Sequence, residues 1–320
     1  MKPRLFAPLT SISRVSSLSI SSHLGELCHH QTHLNQNHLR RTFDGILNPC
    51  LQNGGHYVPE IRDKIYRVTV PFHEHKELQI VDYFSALGYV LTHATHASSF
   101  TQLIHSLSQY AEWCRVSSTV LDVNTPTVVQ MLFELPSKDH YNYGHGGLKF
   151  SFASSVSAGK GAGREDIRKA RTKTVQSVWQ QPLPCPTPVQ QAHAAVGISY
   201  SSKIEPSAEL FGTPWGHCGE SVSFPSMYHS IHAARPLGTL ALSVKAMTSV
   251  IPGTDIIPVY AIPSLNSLAD IVEILQVAGA LRPMCLNCLY LRNIVGGSIH
   301  DYAIKFLSKA SLESQCSSRG

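Results

Sequence analysis

Apolar residues recur along this chain with two different periods. Leu78, Ile80, Val81, Phe84, Leu87 and Leu91 fall on one face of a helix spanning 78 to 91, and Phe100, Leu103, Ile104, Leu107, Ala111 and Cys114 repeat that spacing. Ser99 followed by Gln102 gives the second helix a capping box, and Thr125 before Pro126 predicts the start of a third helix through Val128, Val129 and Leu132. Farther on, AAVGISYSS (194–202) and LGTLALSVKA (237–246) read as strands rich in small and β-branched residues. Helical spacing returns at 221–234, at 268–280 behind Ser267 and Asp270, and at 286–294. Strands alternating with helices predict a layered α/β domain in the C-terminal part.

These patterns divide the chain into four parts. Residues 1–45 read as a disordered or targeting tail, 46–150 as a small helical domain, 151–192 as a linker, and 193–315 as the α/β domain. The linker reading rests on GKGAGRED and QQPLPCPTPVQQ, with short apolar periodicity only around Ile167 to Trp179. Lys160, Arg164, Arg168, Lys169, Arg171 and Lys173 in that stretch could meet phosphates, although a charge run in a linker is more commonly just solvated.

Composition narrows the class. With 320 residues, 43% of them hydrophobic and 15% charged, the chain has enough apolar material for an ordinary core. The most apolar run, 271–291, is interrupted by Glu273, Gln276 and Arg282, so no membrane association is expected. A net charge of +5 permits a polyanionic partner without requiring one. The first 25 residues carry Lys2, Arg4 and Arg14, no acidic residue before Gly25 and many serines, so a mitochondrial transit peptide is the alternative to a disordered tail. The eight cysteines are scattered apart from one close pair and do not form a disulfide framework, which points to an intracellular, cytoplasmic or nuclear location with reduced thiols.

That pair carries the chemistry. Cys285-Leu286-Asn287-Cys288 stands at the head of an apolar helix, where two thiolates can reach one metal ion and the helix N-terminus stabilises their charge. Gly216-His217-Cys218-Gly219-Glu220 follows a loop upstream and offers a third thiolate. Three protein ligands leave one position open, as in catalytic zinc sites, whereas a fourth cysteine such as Cys185 would close it into a structural one. Glu220, two residues past Cys218, falls near that open position without having to bind the metal. A nucleophile elbow at Ser221 lacks its second glycine, Gly159 to Gly163 lacks the ending of a phosphate loop, and the histidine pairs 93/96 and 229/232 have no matching third ligand.

Cys218-Gly219-Glu220 together with Cys285-Leu286-Asn287-Cys288 resembles the [His/Cys]-x-Glu plus Cys-x-x-Cys signature of the cytidine-deaminase-like superfamily, over about residues 193 to 315. The resemblance implies a three-layer α/β/α sandwich with a mixed sheet, here preceded by a small helical domain. It also implies a zinc-dependent hydrolytic deaminase of a cytosine or adenine base: Cys218, Cys285 and Cys288 hold Zn2+, zinc-bound hydroxide is the nucleophile and Glu220 is the proton shuttle. The substrate would be a nucleoside, a nucleotide or single-stranded nucleic acid, with a homo-oligomer completing the pocket. Because three thiolates around a dication leave a net negative site, Arg292, and after it Arg282 and His217, are expected to stand close by. Two features of the chain fit a non-catalytic, zinc-stabilised binding module instead. One is the 65 residues between Glu220 and Cys285; the other is Met284 where the family has proline. Pro225 is expected to bend or delay the helix that follows Cys218.

Overall fold

The computed structural model describes residues 17–29, 36–55, 68–72, 76–97, 99–135, 148–157, 163–179, 215–248, 268–277, 279–295 and 299–302. The chain begins with α1 (Ser17–His29) and α2 (Gln36–Thr42), passes through a π-helical turn at Phe43–Leu47, and continues as α3 (Asn48–Asn53). Ile20, Leu24 and Cys28, spaced by four, turn one stripe of α1 into the main core beside Leu39, Leu47 and Trp113. Residues 17–29 and 36–45 are therefore part of the folded body, where the sequence reading expected a tail.

A hairpin follows, in which β1 (Val68–Phe72) pairs antiparallel with β2 (Lys76–Ile80). Leu78 and Ile80 belong to this hairpin, so the expected helix starts later, as α4 (Tyr83–Ala94), with Asp82 capping it by accepting from the Ser85 N–H at 3.0 Å. The next helix, α5 (Phe100–Val120), begins as expected at Ser99, whose hydroxyl accepts from Gln102 N–H at 3.3 Å.

The expected third helix is a strand. β3 (Val128–Glu134) pairs antiparallel with β4 (Phe150–Ser154) on one side and with β5 (Leu237–Ser243) on the other, and β5 pairs in parallel with β6 (Ile299–Asp301). Side chains alternate across this four-stranded mixed sheet. Val129, Met131 and Phe133 join the core beneath α4 and α5, while Leu132 joins Phe224, Ile231 and Leu237 on the opposite face. Strands from both 46–150 and 193–315 make up one sheet, so the expected boundary between a helical domain and an α/β domain does not hold. The strand expected at 194–202 lies outside the described residues.

Between β4 and β5 stands α6 (Gly163–Trp179), a 17-residue helix in the stretch read as linker. Then come α7 (Glu220–Ser226), α8 (Tyr228–His232), β5, the short α9 (Val244–Thr248), α10 (Leu268–Val277) and α11 (Leu286–Val295), which leads into β6. Pro225 lies inside α7, which runs only to Ser226; Met227 then interrupts the helix before α8 resumes, the bend expected near Pro225. Helices thus cover both faces of a mixed sheet, and α7, α8 and α11 share the face on which the cysteines lie. Among the described residues no helix is long and apolar enough to cross a membrane.

Candidate metal centre

Two helix starts meet on that face. The loop Trp215 to Gly219 leads into α7, and Gly219 sits so close to the sheet that a Cβ there would lie 3.0 Å from Gln130 Oε1. Gln130 in turn accepts from the Ser223 hydroxyl at 2.9 Å and donates to Thr239 Oγ1 at 3.0 Å, which locks α7 onto β3 and β5 through buried polar contacts. Gly216 has φ +77, and a Cβ on it would stand 2.2 Å from Arg168 O of α6. The chain immediately before Cys218 is therefore seated on α6.

Cys285 occupies the residue just before α11, where backbone N–H groups point outward without helical partners. The Cys218 thiol above all, then the Cys288 thiol and, more weakly, the N–H groups of Cys288 and Asn287 stabilise its thiolate against burial and pull Cys285 well below the ordinary thiol range. Cys218 and Cys288, which would have to ionise beside that charge, are pushed up. The Cys218 and Cys285 sulfurs are 3.3 Å apart, those of Cys285 and Cys288 3.4 Å, and all three lie within 4.8 Å of one another. Among the described residues this is the one group of three or more His, Cys, Asp or Glu side chains placed to hold a metal ion.

Glu220 lies in the first turn of α7 and is only 5% exposed. Burial above all, then the neighbouring Cys285, pushes its carboxyl up to about 8, against partial relief from its own backbone N–H and the Cys288 thiol. Such a group is poised to hold or release a proton near neutral pH.

A small hollow, with room for about one water molecule, adjoins the sulfurs. Thr172 and Val175 of α6, Trp215, Ser221, Asn287 and Leu291 surround it together with the cysteines. No part of α6 entered the sequence-based account of the site; the partner residues lie some forty or more positions away and leave no local signal.

The cations expected around the site are placed differently. His217 is pushed down to about 4, chiefly by burial and then by Arg164, Arg171 and Arg168, so its imidazole is neutral at pH 7 and supplies no positive charge. Its carbonyl is the group in use, accepting from Val156 N–H at 2.8 Å. Arg292 is half-buried in the last turn of α11 and lies outside the lining of the hollow. Arg282 is exposed and donates to Gly279 O and Leu281 O at 3.0 and 2.9 Å, folding back on its own turn. Arg164, Arg168 and Arg171 of α6 are the cations that act on His217, and Cys185, the alternative fourth ligand, lies outside the described residues.

Comparison of the chain with protein-family models, with curated proteins and with solved structures returns no match.

Proposed function

We propose that this chain is a zinc-dependent hydrolytic deaminase, removing the amino group of a cytosine or adenine base carried by a nucleoside, a nucleotide or single-stranded nucleic acid. The observation that carries this reading is the convergence of the Cys218, Cys285 and Cys288 sulfurs beside the buried Glu220. The donor set suits zinc. Sulfurs at about 2.3 Å from a tetrahedral ion stand roughly 3.8 Å apart. The two closest sulfur pairs are 3.3 and 3.4 Å apart, so a small outward adjustment accommodates the ion. Helices on both faces of a mixed sheet, with α7 and α11 starting side by side, support the three-layer deaminase-like sandwich.

A zinc ion on the three cysteines would supply Lewis acidity that makes water nucleophilic near neutral pH. The rest falls to the chain. Glu220 takes the first proton from the attacking water and delivers it to the ring nitrogen, then takes the second from the hydroxyl now on the base carbon and delivers it to the departing amine, which leaves as ammonia; this cycle favours a carboxyl titrating near neutrality. Trp215, Val175 and Leu291 give the hollow an apolar lining and Thr172, Ser221 and Asn287 give it polar atoms; as it stands it admits a water beside the sulfurs, and a base has to open it farther.

A second reading, a non-catalytic zinc-stabilised binding module, is favoured by one observation: Glu220 is not among the side chains that line the hollow. Assay of the purified full chain separates the two. Cytidine, deoxycytidine, adenosine, their monophosphates and single-stranded DNA and RNA are incubated with wild type, Glu220→Ala and Cys285→Ser, and ammonia and the deaminated base are measured. The deaminase reading predicts turnover of at least one substrate, lost in both variants while Glu220→Ala keeps its metal. Turnover at the wild-type rate in Glu220→Ala would contradict the assigned mechanism. Metal-dependent folding with no turnover in wild type would favour the binding module.

A further inference from the structure

Among the described residues Arg171 is the largest side chain buried to this degree, at 1% exposure, and it sits in the middle of the helix that backs the site. Its guanidinium spans three parts of the fold. One nitrogen donates to Ser85 Oγ at 2.8 Å and to Asp82 Oδ2 at 3.3 Å; the other donates to Ser154 O at 3.0 Å and reaches His217 O at 3.5 Å. Asp82 is the cap of α4, and Ser154 ends β4. His217 immediately precedes Cys218, and its carbonyl also accepts from Val156 N–H, on the extension of β4. Strand end, helix cap and ligand loop are thus tied to one planar fork.

Neighbouring residues of α6 grip the same loop. Arg168 Nε donates to Trp215 O at 3.2 Å, and Gly216 lies against Arg168 O and Thr172 Oγ1 too closely for any Cβ. Residues 215, 216 and 217 are therefore each held by the single turn 168–172. For packing alone, an apolar side chain of similar volume would fill the slot as well as a buried charge pair does, since two desolvated charges recover their loss only through good geometry. What an apolar replacement lacks is direction: it cannot fix a carbonyl.

We infer that Arg171 is a positioning residue for the metal centre, setting the backbone at His217 and thereby the place of the Cys218 sulfur. The inference rests on the metal-binding part of the proposed function and not on deamination. Groups that orient metal ligands typically alter affinity tenfold to a hundredfold when removed, without being ligands themselves.

The test is Co2+ binding to the full chain by chelator competition, followed through the thiolate-to-cobalt absorption, with the melting temperature of the metal-free protein recorded alongside. In Arg171→Met/Asp82→Asn both charges are removed together and Asn keeps the cap, so neither a carboxylate nor a helix end is stranded. This variant is expected to melt within a few degrees of wild type, to bind cobalt roughly 10- to 100-fold more weakly and to show an altered absorption band. Arg171→Lys guards against a double variant that does not fold. It keeps a charge beside Asp82 but replaces the fork by one nitrogen, and about a tenfold loss of affinity is expected. Wild-type affinity and spectrum in a folded variant of either kind would overturn the inference while leaving the metal site standing. Absence of cobalt uptake by wild type would overturn both.

Discussion

Asp301 Oδ2 accepts the backbone N–H of Met284 at 2.9 Å, fastening the residue before the first cysteine of the close pair to the edge strand β6. Asp301 is buried, and the contact spans the 17 positions that α11 needs to run out and the chain to return. The three-residue strand β6 therefore does more than close the sheet. It sets where α11 starts, and so where Cys285 and Cys288 point.

Asp301→Ala should destabilise the protein by about 1–3 kcal/mol, the usual result of leaving a buried donor without its acceptor, whereas Asp301→Asn keeps an acceptor oxygen and should be milder. Urea unfolding of the metal-free variants checks this. Equal midpoints for Asp301→Ala and wild type would mean that Met284 finds another partner.

Gly216→Ala should be more damaging than its size suggests. A Cβ would meet Arg168 O at 2.2 Å in a backbone with φ +77, so the loop must leave α6. Strain of this kind costs about 1–3 kcal/mol, read as a fall of roughly 2–4 °C in melting temperature per kcal/mol for a chain of this length. Gly279, with φ +63 and nothing within 4 Å of its Cβ position, is the control. Gly279→Ala bears the backbone strain without the collision and should lose less.

The contribution of His93 to stability should fall on mild acidification, opposite in sign to that of Glu220, whose raised carboxyl holds its proton more readily in the folded state. Burial first, then His38, pushes His93 down to about 4 from 6.5 in the unfolded chain. Between pH 6.5 and 4 the unfolded chain takes up a proton that the folded state resists, so stability declines as pH falls through that window and this contribution is constant below it. For a shift of this size the decline is at most about 3 kcal/mol from His93. His93→Gln should flatten part of the slope of urea midpoint against pH between 7 and 5; an unchanged slope would assign the dependence to other groups such as His217.

What the sequence revealed and what it hid follow from range. Ser99 capping α5, the strand at 237–243 and the helix behind Cys285-x-x-Cys288 are set by residues within a few positions of each other, and each could be read locally. β3 reads as a helix from its sequence because it is buried on both faces. Val128, Val129 and Leu132 then fit a helical spacing as well as a strand, and alternation carries no signal. α6 hid behind its charges. Its apolar stripe, Ile167, Ala170, Val175 and Val178, is narrow, and its most buried large side chain is an arginine whose partner Asp82 lies 89 residues away. α1 was masked by its serines, although Ile20, Leu24 and Cys28 carried the helical spacing. The three cysteines and Glu220 could be named in advance because their chemistry is written in short motifs. Asp301, Arg171 and Trp215 could not, since only the fold brings them near.

Zinc content of the freshly purified, reduced protein tests the central claim most directly, with wild type measured beside Cys218→Ser, Cys285→Ser and Glu220→Ala. The account predicts one zinc per chain in wild type and in Glu220→Ala, and loss of zinc in both cysteine variants. No zinc in wild type, or zinc retained in the cysteine variants, would contradict a metal centre built on Cys218, Cys285 and Cys288.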